Sequence, residues 1–347
     1  MDLAERIEAF ALLGGTLRNG MEGKETKYSV RLNNLINTQH LNNEWFTPGN
    51  VRMALTAIAG ELTSENIVKW TGRYPGLSQK ISPLKVAVIM AGNVPLVGFH
   101  DFLAVLISGN SLLVKTSSKD PDLIRYISEL LCMINPRFSE RIVFTNNIVT
   151  GFDAIIATGS DNSSRYFEYY FGRYPGIIRK NRNSIAVIDG SETGTQLESL
   201  GSDLFSYFGL GCRSVSKVYL PEGYDCQNLT ENWSSYSDII SHRKYAANYD
   251  YNKAVALVNR EKFTDTGYVL LKENKALFSP VAVINYEYYR SADQLTDEIR
   301  LLNEKIQCIT GRDHIPFGGS QRPHLWDYAD GIDTIDFLLK KNIAGIL

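Results

Sequence analysis

From Lys85 onward the chain alternates short, almost wholly apolar runs with longer segments in which apolar residues recur at helical spacing. Residues 85–90, 111–115, 141–145, 154–158 and 185–189 read as buried strands. Between them, 96–107 and 121–134 read as helices, the second with Asp120 as N-cap and Pro121 at the first helical position. Strand and helix in alternation predict a parallel sheet covered on both faces. After Gly190 a second α/β block is expected, with a helix over 198–208 and strands at 215–220, 268–271, 281–285 and 306–310. Residues 1–15 mix Asp2, Glu5, Arg6 and Glu8 with spaced apolar positions, the pattern of an amphipathic helix and not of a secretory signal. The remainder of the first 80 residues is helical and polar, broken at Thr47, Pro48 and Gly49, and is expected to form a cap or a substrate-facing layer. The expected domains are a helical N-terminal region (1–80), a nucleotide-binding α/β domain (81–190), a catalytic α/β domain (191–320) and a C-terminal tail (321–347). The hexapeptides starting at Gly72 and Gly172 are near-identical, but their flanks do not match, so they read as coincidence or as a recurring helix-ending turn.

A chain of 347 residues, 44% of them hydrophobic, can bury two cores and favours an enzyme over a small adaptor. Its 36 Lys and Arg against 38 Asp and Glu leave no net field toward nucleic acid or an anionic membrane. The most apolar run, 102–114, is interrupted by Gly109 and Asn110 and is too short for a bilayer core of about 30 Å. Cys132, Cys212, Cys226 and Cys308 form no C-x-x-C pair, which fits a reducing compartment, and the expected location is the cytoplasm. The histidines form no metal motif, so no metal is expected.

Cys212 is the best nucleophile in the chain. It lies in Gly209-Leu210-Gly211-Cys212-Arg213-Ser214, between a helical segment and an apolar strand, where glycines permit close substrate approach and exposed amides can polarise a carbonyl. The alternative is a small buried hydrophobe, the reading given to Cys132, Cys226 and Cys308. Asn93, in Ala91-Gly92-Asn93-Val94-Pro95 after the first strand, is either an oxyanion donor or an ordinary turn residue. Lys115, closing another strand, either reaches a ribose or phosphate or is a solvated strand-end charge. Gly159 and Ser160 again stand between strand and helix, where main-chain amides bind phosphate.

In this order these segments resemble the aldehyde dehydrogenase superfamily over roughly residues 84–320. The resemblance implies an aldehyde-dehydrogenase-like α/β fold with two Rossmann-like parallel-sheet domains and a tail returning to the cofactor or oligomer side. It makes Asn93 the oxyanion-hole asparagine, Lys115 the adenosine-ribose contact, Gly159 and Ser160 the cofactor-phosphate turn, and Cys212 the nucleophile. Phe317-Gly318-Gly319 resembles the late C-terminal signature. Within the superfamily, GNVPL, GLGCRS and the short length are most similar to the LuxC-type acyl-CoA reductases. That implies NADPH-dependent reduction of an acyl-CoA, long-chain acyl groups included, to the aldehyde through an acyl-cysteine.

Where the hydrolytic dehydrogenases carry a water-activating glutamate, residues 176–183 hold no carboxylate, so the acyl-enzyme should survive for CoA exchange or hydride transfer. Asp189 or Glu192 folding toward the nucleophile would restore a base. The segment 276–280 likewise lacks the glutamate that holds the nicotinamide ribose. Ser118, where NAD-selective sites commonly place a carboxylate, followed by Lys119, favours NADPH. Arg179, Lys180 and Arg182 read as a solvated basic loop or as phosphate ligands. The rival activities are acyl-phosphate reduction, ordinary aldehyde oxidation, or no catalysis, as a subunit of an acyl-transfer complex. The expected partners are acyl-CoA, an acyl-transfer protein and further copies of the chain.

Overall fold

The computed structural model describes residues 1–24, 26–79 and 82–344, so the expected boundary between 80 and 81 and the last three residues of the expected tail lie outside the described residues. The chain divides into two compact units, Met1–Asn181 with His324–Leu347, and Arg182–Pro323.

The first unit begins with four helices, α1 (Leu3–Met21), α2 (Thr26–Thr38), α3 (Pro48–Glu61) and α4 (Ser64–Thr71). Asp2 and Glu5 close the start of α1 reciprocally, each carboxylate accepting the other residue's N–H at 2.9 and 2.8 Å. Gly14 lets α1 cross the end of α3 closely, since a Cβ there would lie 2.1 Å from the Leu62 carbonyl oxygen. The helices are not a polar layer: Phe10, Leu13, Leu17, Leu55 and Trp70 are fully buried in one core with Val86 and Val88 of the sheet. That sheet comprises β1 (Lys85–Ile89), β2 (Ser111–Lys115), β3 (Ile142–Phe144), β4 (Ala154–Thr158) and β5 (Gly176–Arg179), in the order β3-β2-β1-β4-β5, with every pairing parallel. The helices between strands are α5 (Phe99–Ile107), α6 (Leu123–Ile134) and α7 (Asp161–Phe171). Two expected helix starts move. Leu96 has φ +59, so α5 begins only at Phe99; Asp120 accepts the Leu96 N–H at 2.8 Å, and α6 begins after Asp122.

The second unit carries β6 (Asn183–Val187), α8 (Gly194–Phe205), β7 (Val215–Pro221), α9 (Gln227–Asn232), α10 (Arg243–Val258), β8 (Thr264–Asp265), β9 (Leu270–Glu273), β10 (Val283–Tyr289), α11 (Ala292–Leu301) and β11 (Ile306–Thr310). Its sheet runs β11-β6-β7-β10-β9-β8, parallel except for the β8–β9 edge pair. The strand expected at 185–189 is β6 and belongs to this sheet, so the units part at Asn181 and not near 190. Leu200, Val218, Leu220, Leu229 and Trp233 are fully buried in its core. The chain then returns to the first unit, where α12 (Thr334–Ala344) packs on α5. Among the described residues no helix is long and apolar enough to cross a membrane.

Candidate active site

In the first unit the sequence-predicted positions gather at one edge of the parallel sheet. Lys115 and Ala157 both align with Ile89 in the strand register, so Asn93, Lys115 with Ser118, and Gly159 with Ser160 follow the carboxyl ends of adjacent strands β1, β2 and β4. Neighbouring strands lie about 4.8 Å apart, so these three strand ends span about 10 Å. This is the edge at which open α/β sheets bind ligands.

The loop carrying Asn93 is held from beneath. Gly92 is packed so closely that a Cβ would lie 2.6 Å from Ser117 Oγ and 3.0 Å from Lys119 Cβ. Asn43 Nδ2 donates to the Gly92 and Lys119 carbonyls at 3.3 and 3.4 Å. Asp120 tethers Leu96 from the same neighbouring loop, while Asn93 and Ser118 are exposed. Lys115 Nζ donates to the Asn147 carbonyl at 3.2 Å. Gly159 allows α7 to start against the strand, since a Cβ would lie 2.7 Å from Ser163 Cβ. Ser160 is the N-cap of α7, its Oγ accepting the Ser163 N–H at 3.4 Å.

Arg179 is corrected by the structure. It is not in a solvated loop but buried on β5, where it donates to Asp101 Oδ1 at 2.7 Å, to the Ala329 carbonyl at 2.7 Å and to Thr334 Oγ1 at 3.1 Å. Lys180 pairs with Glu168 at 2.9 Å, and Arg182 donates to the Ile306 carbonyl at 3.3 Å.

In the second unit Cys212 is exposed in a turn that enters β7. Three successive residues with positive φ, Tyr207 (53), Phe208 (59) and Gly209 (74), swing the chain out of α8 toward it. The turn is closed by the Ser214 N–H donating to the Gly211 carbonyl at 3.0 Å. Four other side chains brace it. Ser184 Oγ donates to the Cys212 carbonyl at 2.8 Å. Arg213 donates to the Ser320 carbonyl at 3.2 Å, and Gln321 to Ser214 Oγ at 3.3 Å. The buried Asp203 carboxylate then accepts the Gly318 and Ser320 N–H groups at 2.7 and 2.9 Å. The Phe317-Gly318-Gly319-Ser320 segment is thus a strut under the cysteine turn. Ser184 and Asp203 carry no sequence signal, and Arg213 is marked there only as the neighbour of Cys212, because nothing local marks a side chain whose partner lies far along the chain.

The remaining thiols differ from Cys212. Burial pushes the pKa of Cys132 and Cys226 up, and Cys308 is buried with its Sγ 3.0 Å from Ser184 Oγ. Asp189 and Glu192 stand at the carboxyl end of β6, whereas Cys212 precedes the amino end of β7. The two strands are parallel, with Ser184 beside Val215 and Val187 beside Tyr219, so at least three residues of strand, about 10 Å, separate carboxylates and thiol. Asp189 is moreover held below the usual carboxylate range by Ser191 and Arg312, and Glu192 accepts the Asp189 and Gly190 N–H groups. Among the described residues no group of three or more His, Cys, Asp or Glu could hold a metal ion.

Comparison with known proteins places these features in a family. The model described as acyl-CoA reductase (LuxC) matches residues 24–283. The long-chain acyl-protein thioester reductase 2 of Photobacterium leiognathi is 24% identical over 224 residues, 59% of this chain and 46% of that protein. The long-chain acyl-protein thioester reductase of Aliivibrio fischeri is 24% identical over 56% of this chain and 44% of its own. The chain therefore spans about half the length of the curated relatives it matches. Among solved structures, aldehyde dehydrogenase 21 from Physcomitrella patens superposes with TM-score 0.62 at 12% identity, over 98% of this chain and 84% of its own. A Mycobacterium tuberculosis aldehyde dehydrogenase complexed with NAD+ gives 0.61 at 14%, over 89% and 73%. The fold is that of the aldehyde dehydrogenases.

Proposed function

The chain belongs to the acyl-CoA reductase (LuxC) family, and from that premise we propose that it reduces an acyl thioester to the aldehyde through an acyl-cysteine on Cys212, with NADPH as reductant. The observation that carries this reading is the exposed Cys212 thiol on a braced turn, with the Asp189 and Glu192 carboxylates at the other end of the strands.

In this reading the Cys212 thiolate attacks the thioester carbonyl, the tetrahedral oxyanion is met by the Cys212 main-chain N–H, and the carrier thiolate leaves. Asn93 is assigned the second oxyanion donor on its sequence match. Lys115, Ser118, Gly159 and Ser160 are assigned to the nucleotide, and the strand-end edge fits it: the tight glycine at 159 brings the start of α7 against the sheet. Ser118 and Lys119 set no carboxylate against a 2′-phosphate, which favours NADPH over NADH. NADPH, when bound, supplies the hydride that reduces the acyl-cysteine. The thiohemiacetal on Cys212 then collapses to aldehyde and free thiol. We assign CoA as carrier after the family description; the relatives' names specify acyl-protein thioesters, which supports an acyl-transfer protein as a second donor. A cytoplasmic homo-oligomer completes the proposal.

The test is a single-turnover experiment with acyl-CoA of several lengths, an acyl-protein thioester and an acyl phosphate. Mass spectrometry should find an acyl adduct on Cys212 before NADPH is added and aldehyde only after it. Cys212→Ala should give neither while still binding NADPH. Turnover by Cys212→Ala at the wild-type rate overturns the mechanism, and acylation by acyl phosphate alone moves the substrate class.

A further inference from the structure

Ser184 is fully buried on β6, beside Val215, at the point where the cysteine turn enters the sheet. Its Oγ lies 2.8 Å from the Cys212 carbonyl oxygen and 3.0 Å from Cys308 Sγ, the latter on the adjacent strand β11. A hydroxyl has one proton and a carbonyl can only accept, so the Ser184 proton goes to Cys212. The Cys308 thiol must then donate into Ser184 Oγ. The three groups form a one-way chain, Cys308 S–H to Ser184 O–H to Cys212 C=O, with both donors buried under an exposed nucleophile. The hydroxyl of Ser184 therefore has a fixed direction, and the peptide that carries the nucleophile is fixed with it.

We propose that Ser184 is a positioning residue for the nucleophile: its hydroxyl, oriented by the Cys308 thiol, holds the main-chain carbonyl of Cys212 and sets the direction of the thiol toward a bound acyl carbonyl. This rests on the reading of Cys212 as the acylated residue. A buried serine serving only to satisfy the interior would affect stability and nothing else. A positioning serine affects the reaction that needs aim and spares one that does not. Acyl transfer from a bound thioester needs the sulfur in line with the carbonyl, where a displacement of about 1 Å can cost about a hundredfold. Alkylation by iodoacetamide, a small reagent meeting an exposed thiol from solution, has no such requirement.

The experiment measures, for each variant of the full chain, the rate at which acyl-CoA acylates Cys212 without NADPH and the rate at which iodoacetamide alkylates it, both read on the Cys212 peptide by mass spectrometry. Ser184→Ala should slow acylation by about tenfold to about a hundredfold and leave alkylation close to wild type. Ser184→Thr, which keeps the hydroxyl, should recover most of the loss. Cys308→Ala should slow acylation in the same direction by less, and Cys308→Ser, which keeps a donor, should recover it. The two Cys308 variants carry the test if Ser184→Ala fails to fold. Wild-type acylation in Ser184→Ala and Cys308→Ala, or parallel loss of acylation and alkylation, overturns the proposal. Wild-type protein that alkylates at Cys212 but does not acylate there overturns the functional reading instead.

Discussion

The Asp120 carboxyl is buried, gives one oxygen to the Leu96 N–H and has no hydrogen-bond partner for the other among the described residues. Burial, with the nearby Asp122 charge adding to it, pushes its pKa up from 3.8 to about 6 against the pull of the Leu96 and Leu123 main-chain N–H groups. The folded state thus binds the proton more tightly than the unfolded chain between those values, and stability falls as pH rises through the window. The full cost, present above pH 6 and absent below the unfolded value, is about 3 kcal/mol at most. Asp120→Asn keeps an acceptor for Leu96 and removes the charge. Its midpoint of thermal unfolding should exceed wild type at pH 7, and the difference should shrink as pH falls through 6 and vanish below 3.8. A difference that does not vary with pH would show that Asp120 is not titrating in this range. The strand-end placement of Asn93 and Gly159 and the turn of Cys212 were legible because each stands in a local signal, a glycine or a turn beside a strand. Asp120, Ser184 and Asp203 were not, because their partners lie 24, 28 and 115 positions away.

Among the elements, the repeated hexapeptide shows how far local chemistry reaches. Gly72 and Gly172 end α4 and α7 in the same way, each donating to the carbonyl four residues back, and a Cβ would sit 3.0 and 2.4 Å from that oxygen. The helix-ending turn is therefore the right reading. The strands were legible from their apolar runs, but the sheet that owns β6 was not, since pairing depends on which parallel neighbours remain open. Arg179 failed for the same reason: in sequence it belongs to a basic cluster, whereas on β5 it joins α5 through Asp101 to the segment before α12. Removing one member of a buried pair strands the other, typically at about 3–5 kcal/mol. Arg179→Met should lower the denaturant midpoint accordingly, and adding Asp101→Leu should return much of the loss. An Arg179→Met chain as stable as wild type would show that the pair is not buried in solution.

For the whole molecule, Asp189 and Glu192 stand at the carboxyl end of β6, away from Cys212, and the proposed acyl-cysteine gives that placement a testable consequence. Without reductant the acyl-enzyme should persist at neutral pH and return acyl-CoA when free CoA is added, a lifetime that quenched mass spectrometry would follow. Rapid release of free acid would reveal a water-activating base and point to a hydrolytic dehydrogenase. The division of the chain has a consequence of another kind. The second unit is one uninterrupted stretch, Arg182–Pro323, whereas the first is completed only by residues beyond it. On a ribosome the partners of Arg179 therefore emerge in two instalments. Asp101 is already present when Arg179 is made, but Thr334 follows 155 residues later. At about 5–20 residues per second that is a delay of roughly 8–30 s. Most of that interval is spent making the second unit, which is complete at Pro323 only shortly before Thr334, so Arg179 gains its last partners after the whole of the second unit has been made.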